Sequence, residues 1–167
     1  MTKFSLILND KSTIISQSNG IQTKIIERLN NTKIDTLDKT TTDSKAATKR
    51  SPRLNANSKL YKTIVTAIED KKGEKIISLD LRKIDEAVAD YFIICEAQSH
   101  TQIHAIAANI EKEVHEQCSE KAFHAQYGQH WTLLDYVNIV VHIFDREQRK
   151  FYDIEGLWAD AVHADLG

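Results

Sequence analysis

Tyr91-Phe92-Ile93-Ile94-Cys95 followed by Glu96-Ala97-Gln98-Ser99-His100-Thr101-Gln102-Ile103 is the stretch that decides the fold. Its first five residues are a continuous apolar run, of a length that suits a strand covered on both faces. Ser99 followed by Gln102 is an S-x-x-Q capping box, in which each side chain can satisfy the other's backbone donor. Ile103, Ile106, Ala107, Ile110 and Val114 then make one apolar stripe, which predicts a helix of about five turns. A buried strand feeding a long amphipathic helix predicts a right-handed crossover that links parallel neighbours.

On the N-terminal side, Leu60, Ile64, Ala67 and Ile68 recur at helical spacing, with Ser58 as N-cap and Gly73 just past the end. Ile77, Leu79 and Leu81 alternate with Ser78 and Asp80, which is strand periodicity, and residues 82–86 form a polar connection. On the C-terminal side, residues 122–127 are a weak strand. Residues 131–134 and 139–144 are strong ones, close enough to be a hairpin turning near residues 135–138. Asp145 can cap a helical turn over residues 146–152, and Asp153 a second that carries Leu157 and Trp158 into the body. The expected class is α/β: a mixed sheet of about five strands with a long crossover helix.

The first third differs in kind. Residues 1–57 are crowded with Ser, Thr, Asn and Lys and contain the single proline, Pro52. Such a stretch buries too little apolar surface to offset its ordering entropy, so residues 1–57 read as a disordered tail and residues 58–167 as the folded domain. One short exception is a helical face of Ile21, Ile25, Ile26 and Leu29, marginal on its own at under three turns. The tail carries 10 Lys/Arg and 5 Asp/Glu, the domain 12 and 19, so a net +5 precedes a net −7. A domain at −7 is poorly suited to gripping phosphates and better suited to a basic protein partner. No apolar run approaches the ~20 residues of a membrane span. Residues 1–8 lack a secretory core, and the acids of the tail argue against an organellar presequence. Cys95 and Cys118 read as reduced thiols of a cytoplasmic protein, with Cys95 buried.

Catalytic signals are missing. The five glycines are isolated, so there is no G-x-G-x-x-G or Walker-type loop, and no G-x-S-x-G elbow exists. His100 and His104 have metal-ligand spacing but read as solvated, and His142, between Val141 and Ile143, reads as a satisfied, partly buried imidazole. Asp80 and Asp90 invite comparison with the carboxylates of a nucleotidyltransferase. That chemistry needs two carboxylates one residue apart on a strand to share Mg²⁺, whereas Arg82 and Phe92 stand at the required positions. The expectation is no catalytic residue, no metal and no cofactor. Trp131-Thr132-Leu133-Leu134-Asp135-Tyr136 combines aromatic anchors with a carboxylate. Composition alone reads it as core plus a turn former.

The order of these pieces resembles the Iojap/RsfS ribosomal silencing factors over most of residues 58–161. The resemblance rests on Ile77-Ser78-Leu79-Asp80-Leu81-Arg82, Ala89-Asp90-Tyr91-Phe92-Ile93-Ile94-Cys95, residues 99–102, residues 131–136, and Val140-Val141-His142-Ile143-Phe144. Arg149-Lys150-Phe151-Tyr152-Asp153-Ile154-Glu155 and Leu157-Trp158-Ala159-Asp160-Ala161 complete it. It implies a degenerate nucleotidyltransferase-like fold without catalytic carboxylates. It also implies a function: binding the large ribosomal subunit through universal large-subunit ribosomal protein fourteen, blocking joining of the small subunit and repressing translation under nutrient limitation. The family's partner-binding segment matches residues 131–136, which turns Trp131, Leu133, Asp135 and Tyr136 into expected interface residues, although strand alternation points some of them inward. Off the ribosome, a homodimer is the other association to test. An organellar large-subunit assembly factor and an active nucleotidyltransferase are the alternatives. Relatives often carry Gly-Asp after the aromatic residue, where this chain has Val137-Asn138.

Overall fold

The computed structural model describes residues 55–56, 58–84 and 87–167 of the chain. The expected tail, including the helical face of Ile21, Ile25, Ile26 and Leu29, lies outside the described residues apart from Asn55 and Ala56. In chain order the elements are α1 (Lys59–Asp70), β1 (Glu74–Asp80), β2 (Tyr91–Ala97), α2 (His100–Cys118), β3 (His124–Gln126), β4 (Trp131–Asp135), β5 (Ile139–Asp145), α3 (Arg146–Tyr152), α4 (Ile154–Leu157) and β6 (Val162–Asp165).

The strands form one mixed sheet in the order β3-β4-β5-β2-β1-β6. β2 and β5 run parallel, and the other neighbours are antiparallel. The class is the expected α/β, with two differences. A sixth strand, β6, pairs with the edge of β1 although all four of its residues are exposed. It is held by ladder hydrogen bonds and leaves no hydrophobic period to read. The long helix also does not join parallel neighbours by itself. α2 leads from β2 to β3 at the far edge, and the chain returns through β4 before β5 lies beside β2.

α1 and α2 cover one face of the sheet. Their buried residues include Ile64 and Ile68 from α1 and the whole predicted stripe of α2. They share one core with Tyr91, Ile93, Cys95, Leu134, Tyr136, Ile139, Val141 and Ile143. Burial pushes the Cys95 thiol up to about 12, which leaves it unreactive. Ser99 caps α2 as expected, its hydroxyl accepting from the Gln102 N–H. The reciprocal bond differs: Gln102 Oε1 accepts from Gln98 N–H at 2.9 Å, and its amide nitrogen donates to the carbonyls of Lys71 and Lys72. Those carbonyls lie just past the end of α1, so one glutamine serves both helix ends, which a glutamate could not. Gly73 is required for close approach, since a Cβ there would meet Ile68 Cγ2 at 2.3 Å. The left-handed residue is its neighbour Lys72, at φ 60°.

β4 and β5 form the expected hairpin. In its turn the Asn138 N–H donates to the Tyr136 carbonyl at 2.8 Å, and Tyr136 N–H donates to the Ile139 carbonyl at 2.8 Å. This closes a γ-turn on Val137 at φ 70°. A β-branched residue there is strained by about 1–2 kcal/mol. Val137 is exposed, so its side chain regains little of this by burial.

Alternation puts Leu79, Phe92, Ile94, Trp131, Leu133, Val140, His142 and Phe144 on the opposite face. His142 is surrounded there by Phe92 (ring centroids 5.0 Å), Trp131 (5.7 Å) and Phe144 (5.9 Å). The expectation of a satisfied imidazole is corrected: His142 is fully buried, and neither ring nitrogen has a hydrogen-bond partner. Aromatic walls offer it no acceptor. Asp145 and Asp153 cap α3 and α4 as expected, accepting from Gln148 N–H and Gly156 N–H. Trp158 reaches the body at Phe92, 5.6 Å between rings, whereas Leu157 stays exposed.

The strained turn and the buried imidazole can each be tested by urea unfolding. Val137→Gly should stabilise the domain by about 0.5–1 kcal/mol, because released strain exceeds the extra entropy of the unfolded glycine. A destabilised variant would mean that the turn is not strained. The second test concerns acid. Burial depresses His142 to about 3, against ~6.5 in the unfolded chain. Below pH 6.5 the unfolded state therefore binds more protons, so this contribution is complete above that pH and is lost progressively as pH falls toward 3. Between pH 7.5 and 5 the parent should lose about 2 kcal/mol more than His142→Phe. Identical losses in paired urea melts would show that His142 carries no such penalty.

Candidate partner-binding face

The four expected interface residues divide between the two faces of the sheet. Trp131, Leu133 and Asp135 alternate onto the face opposite α1 and α2, while Tyr136 lies in the helix-side core. Trp131 is buried under Tyr152 of α3 (4.6 Å) and beside Phe144 (4.8 Å). Leu133 pairs across the ladder with His142 and is 1% exposed. Asp135, at the end of β4, is half-buried. Its Oδ1 accepts from Val137 N–H at 2.7 Å, so its carboxylate braces the strained turn. Burial raises the Tyr136 phenol above its ordinary range, and its hydroxyl has no partner.

β3 extends the same face. His124 pairs with Asp135 and Gln126 with Leu133, so their side chains join those of β4, while Ala125 packs on the helix side. Among the described residues, the buried side-chain polar atoms without a partner are His124 Nε2, Gln126 Oε1, Trp131 Nε1, both nitrogens of His142, and the Tyr136 hydroxyl. All but the last belong to this one face. Native proteins pair the large majority of buried polar atoms, and each exception costs about 1–3 kcal/mol. Five of the six lie on β3, β4 and β5, which makes this the polar part of the interior on the side away from α1 and α2.

Apolar residues border its edge. Phe123 is 77% exposed, and its N–H donates to the Asp135 carbonyl at 2.7 Å. Val137, 53% exposed, is bonded to the Asp135 carboxylate. A carboxylate flanked by two exposed apolar side chains can meet a cationic side chain and cover its aliphatic stem. Sequence reasoning missed Phe123, Val137, His124, Gln126 and His142. The alternation of His124 and Gln126 around Ala125 was a usable signal. The exposure of Phe123 and the unpaired state of His142 depend on packing and leave no pattern.

The other candidates do not assemble a reaction centre. Arg82 holds Asp80 by two bonds, Nε to Oδ1 at 2.9 Å and Nη2 to Oδ2 at 2.6 Å. Hydrogen bonding to Arg82 keeps this carboxyl below its ordinary range. His100, His104 and His115 are exposed, and His104 stacks on Tyr127 at 6.4 Å. Among the described residues, no three His, Cys, Asp or Glu side chains are placed to hold a metal ion, and no helix is long and apolar enough to cross a membrane.

Comparison with known proteins bears on the whole of this sheet. The family model described as "Ribosomal silencing factor during starvation", RsfS, matches residues 54–167. A ribosomal silencing factor RsfS of Halalkalibacterium halodurans is 36% identical over 112 residues, 66% of this chain and 95% of the relative. That of Bacillus subtilis is 38% identical over 108 residues, covering 64% and 91%. The chloroplastic protein Iojap of Zea mays is 38% identical over 76 residues, 46% of this chain but a third of the relative. A crystal structure from Bacillus halodurans superposes with a TM-score of 0.55 at 32% identity, over 64% of this chain and 97% of its own. One from Chromobacterium violaceum gives 0.56 at 28%, over 60% and 83%. The family match runs from just before α1 through β6, and the chain therefore belongs to the RsfS family of ribosomal silencing factors.

Proposed function

We propose that this chain silences ribosomes by binding the large subunit through universal large-subunit ribosomal protein fourteen, standing where the small subunit docks, and so repressing translation when nutrients are scarce. The observation that carries the reading is the Asp135 carboxylate at the end of β4, flanked by the exposed Phe123 and Val137. A basic side chain laid across that edge can meet the carboxylate and cover its aliphatic stem with Phe123 and Val137, while the buried Trp131 and Leu133 hold β4 in place beneath it. Asp135 supplies charge at the rim, and Tyr136 supports the turn from within the core. The net −7 of residues 58–167 favours approach of a basic protein. The chain acts by occupancy in this reading, and Asp80 is engaged by Arg82.

A second reading keeps the same contact and changes the address. Similarity to a chloroplastic protein favours an organellar large subunit as the target, against the cytoplasmic ribosome favoured by the longer bacterial matches. Fractionation of the source cells separates the two.

Co-sedimentation with purified large and small subunits, followed by a subunit-joining gradient, tests the function. The parent should pellet with large subunits only and reduce joining. Asp135→Asn keeps the acceptor for Val137 N–H and removes the charge, so its melt should match the parent while its binding loses part of its salt dependence. Asp135→Lys should weaken binding about ten-fold or more, by placing like charges against a basic partner. A folded Asp135→Lys protein that binds and blocks joining like the parent would remove Asp135 from the interface.

A further inference from the structure

β6 ends the sheet, and its outer edge has no neighbouring strand among the described residues. All four of its residues, Val162–Asp165, are exposed. The ladder fixes which backbone groups face outward. The Leu166 N–H donates to the Ile76 carbonyl at 2.8 Å, and the register continues through Ser78↔Ala164 and Asp80↔Val162. Backbone groups alternate between the two edges of an antiparallel strand, so those of Val162, Ala164 and Leu166 turn inward to β1. Those of His163 and Asp165 turn outward, two donors and two acceptors open to another strand.

Side chains sort the same residues by face. His163 stands opposite Leu79 and Asp165 opposite Ile77, on the side of the sheet away from α1 and α2. Val162, Ala164 and Leu166 take the helix side, where Leu166 is half-buried against the core. Against an antiparallel copy of itself, related by a two-fold axis at Ala164, every position of this strand is matched. His163 meets Asp165, Val162 meets Leu166, and Ala164 meets Ala164. The hydrogen-bond pattern admits only those axes that set outward-facing residues against each other. An axis at His163 would oppose imidazole to imidazole, and one at Asp165 would oppose like carboxylates, which is destabilising. Charged side chains commonly blunt a sheet edge. Here a carboxylate and an imidazole two residues apart blunt it against the neighbouring registers and favour one.

We propose that β6 pairs with β6 of a second copy of this chain, in antiparallel register centred on Ala164, joining two six-stranded sheets into one. Four ladder hydrogen bonds form: the His163 N–H to the Asp165 carbonyl and the Asp165 N–H to the His163 carbonyl, each twice. The His163 ring, whose Nε2 lies 3.4 Å from the Trp158 carbonyl, meets the carboxylate of Asp165 from the second copy. That carboxylate already accepts from the Gly167 N–H through Oδ1 at 3.1 Å, and Oδ2 serves the imidazole. A four-residue edge buries far less than the ~1,200 Å² of a stable complex, so the dimer dissociates on dilution. β3, at the other edge of the sheet, lies five strand spacings or about 24 Å away. The pairing therefore leaves the Asp135 end of β4 open, and it stands independently of the ribosomal reading.

The test uses the full chain. Sedimentation equilibrium from about 5 to 500 μM should show a monomer–dimer equilibrium. Over the same range amide hydrogen exchange should slow at His163 and Asp165, while Ala164, already bonded within the ladder, stays unchanged. His163→Asp should weaken the dimer about five- to ten-fold by opposing carboxylates, and adding Asp165→Lys should restore it, the pair then meeting in reverse order. Both positions are exposed, so the melts should match the parent. A parent that stays monomeric overturns the proposal, and so does a dimer that leaves the His163 and Asp165 amides unprotected. A His163→Asp dimer as tight as the parent's, or a double variant no tighter than the single one, overturns the register. Folded His163→Asp should bind large subunits like the parent, and its failure to do so overturns the separation of the two edges. Failure of parent and variants alike to bind large subunits, with the dimer intact, defeats the ribosomal reading and leaves the pairing standing.

Discussion

Seven residues of β2, Tyr91–Ala97, pair in parallel with seven of β5, Ile139–Asp145, and every one of these fourteen except Asp145 is buried. Two strands with no wet face require a covering layer on each side, and a parallel pair requires a long connection between its members. α1 and α2 supply the first layer, and the passage from β2 through α2, β3 and β4 supplies the connection. The second layer is thinner and is secured by charge. Glu96, at the end of β2, is 5% exposed and faces Lys75 at 3.0 Å and Arg149 at 3.7 Å. Arg149 also bonds Glu155 and donates to the Lys75 carbonyl at 2.8 Å. That carbonyl is offered by the bulge in β1, where Lys75 takes φ 48°. The irregularity in the sheet is thus what lets α3 be pinned over it, and truncating Arg149 would break its bonds to Glu155 and to the Lys75 carbonyl while leaving Glu96 held by Lys75 and Arg146.

How much of this is legible in the sequence depends on where each signal resides. Both helices on the first face carry full apolar stripes, and the buried residues of α2 are the five that periodicity names. The central strands are apolar without interruption, and the caps at Ser58, Ser99, Asp145 and Asp153 are local chemistry that the residues spell out. β6 leaves no trace because an exposed edge strand is specified by its neighbour's ladder, not by its own side chains. Gln102 is legible as a cap, but its second task, binding carbonyls near residue 71, joins positions about thirty apart. At the site, residues 131–136 stand out by resemblance. Their division between two faces is announced by alternation, and it separates Tyr136 from Trp131, Leu133 and Asp135.

The irregular features of this domain are not spread evenly. The strained Val137, the half-buried Asp135 that braces it and the exposed Phe123 lie on β4 and the residues flanking β3 and β4. The five unpaired polar atoms lie on β3, β4 and the β5 residue that faces them, on the side of the sheet away from the helices. Positive φ also occurs at Lys72, Lys75, Ser119 and Asp153, but the unpaired polar atoms gather at β5 and outward of it. Outward of it the strands are short, polar at buried positions and strained at their turn, a combination that lowers the stability of that edge. Proteins keep such conflicts where another molecule resolves them, since a surface whose demands are met internally has nothing to offer a partner.

The neutral His142 sharpens the point. With aromatic rings on three sides it cannot be charged at physiological pH. The fold therefore holds it as a neutral imidazole among aromatic rings, and leaves charge at the hairpin end of β4 to the half-buried Asp135. Burial thus keeps the interior of β4 and β5 neutral around His142 and puts the carboxylate where it can brace the turn, on the Val137 N–H.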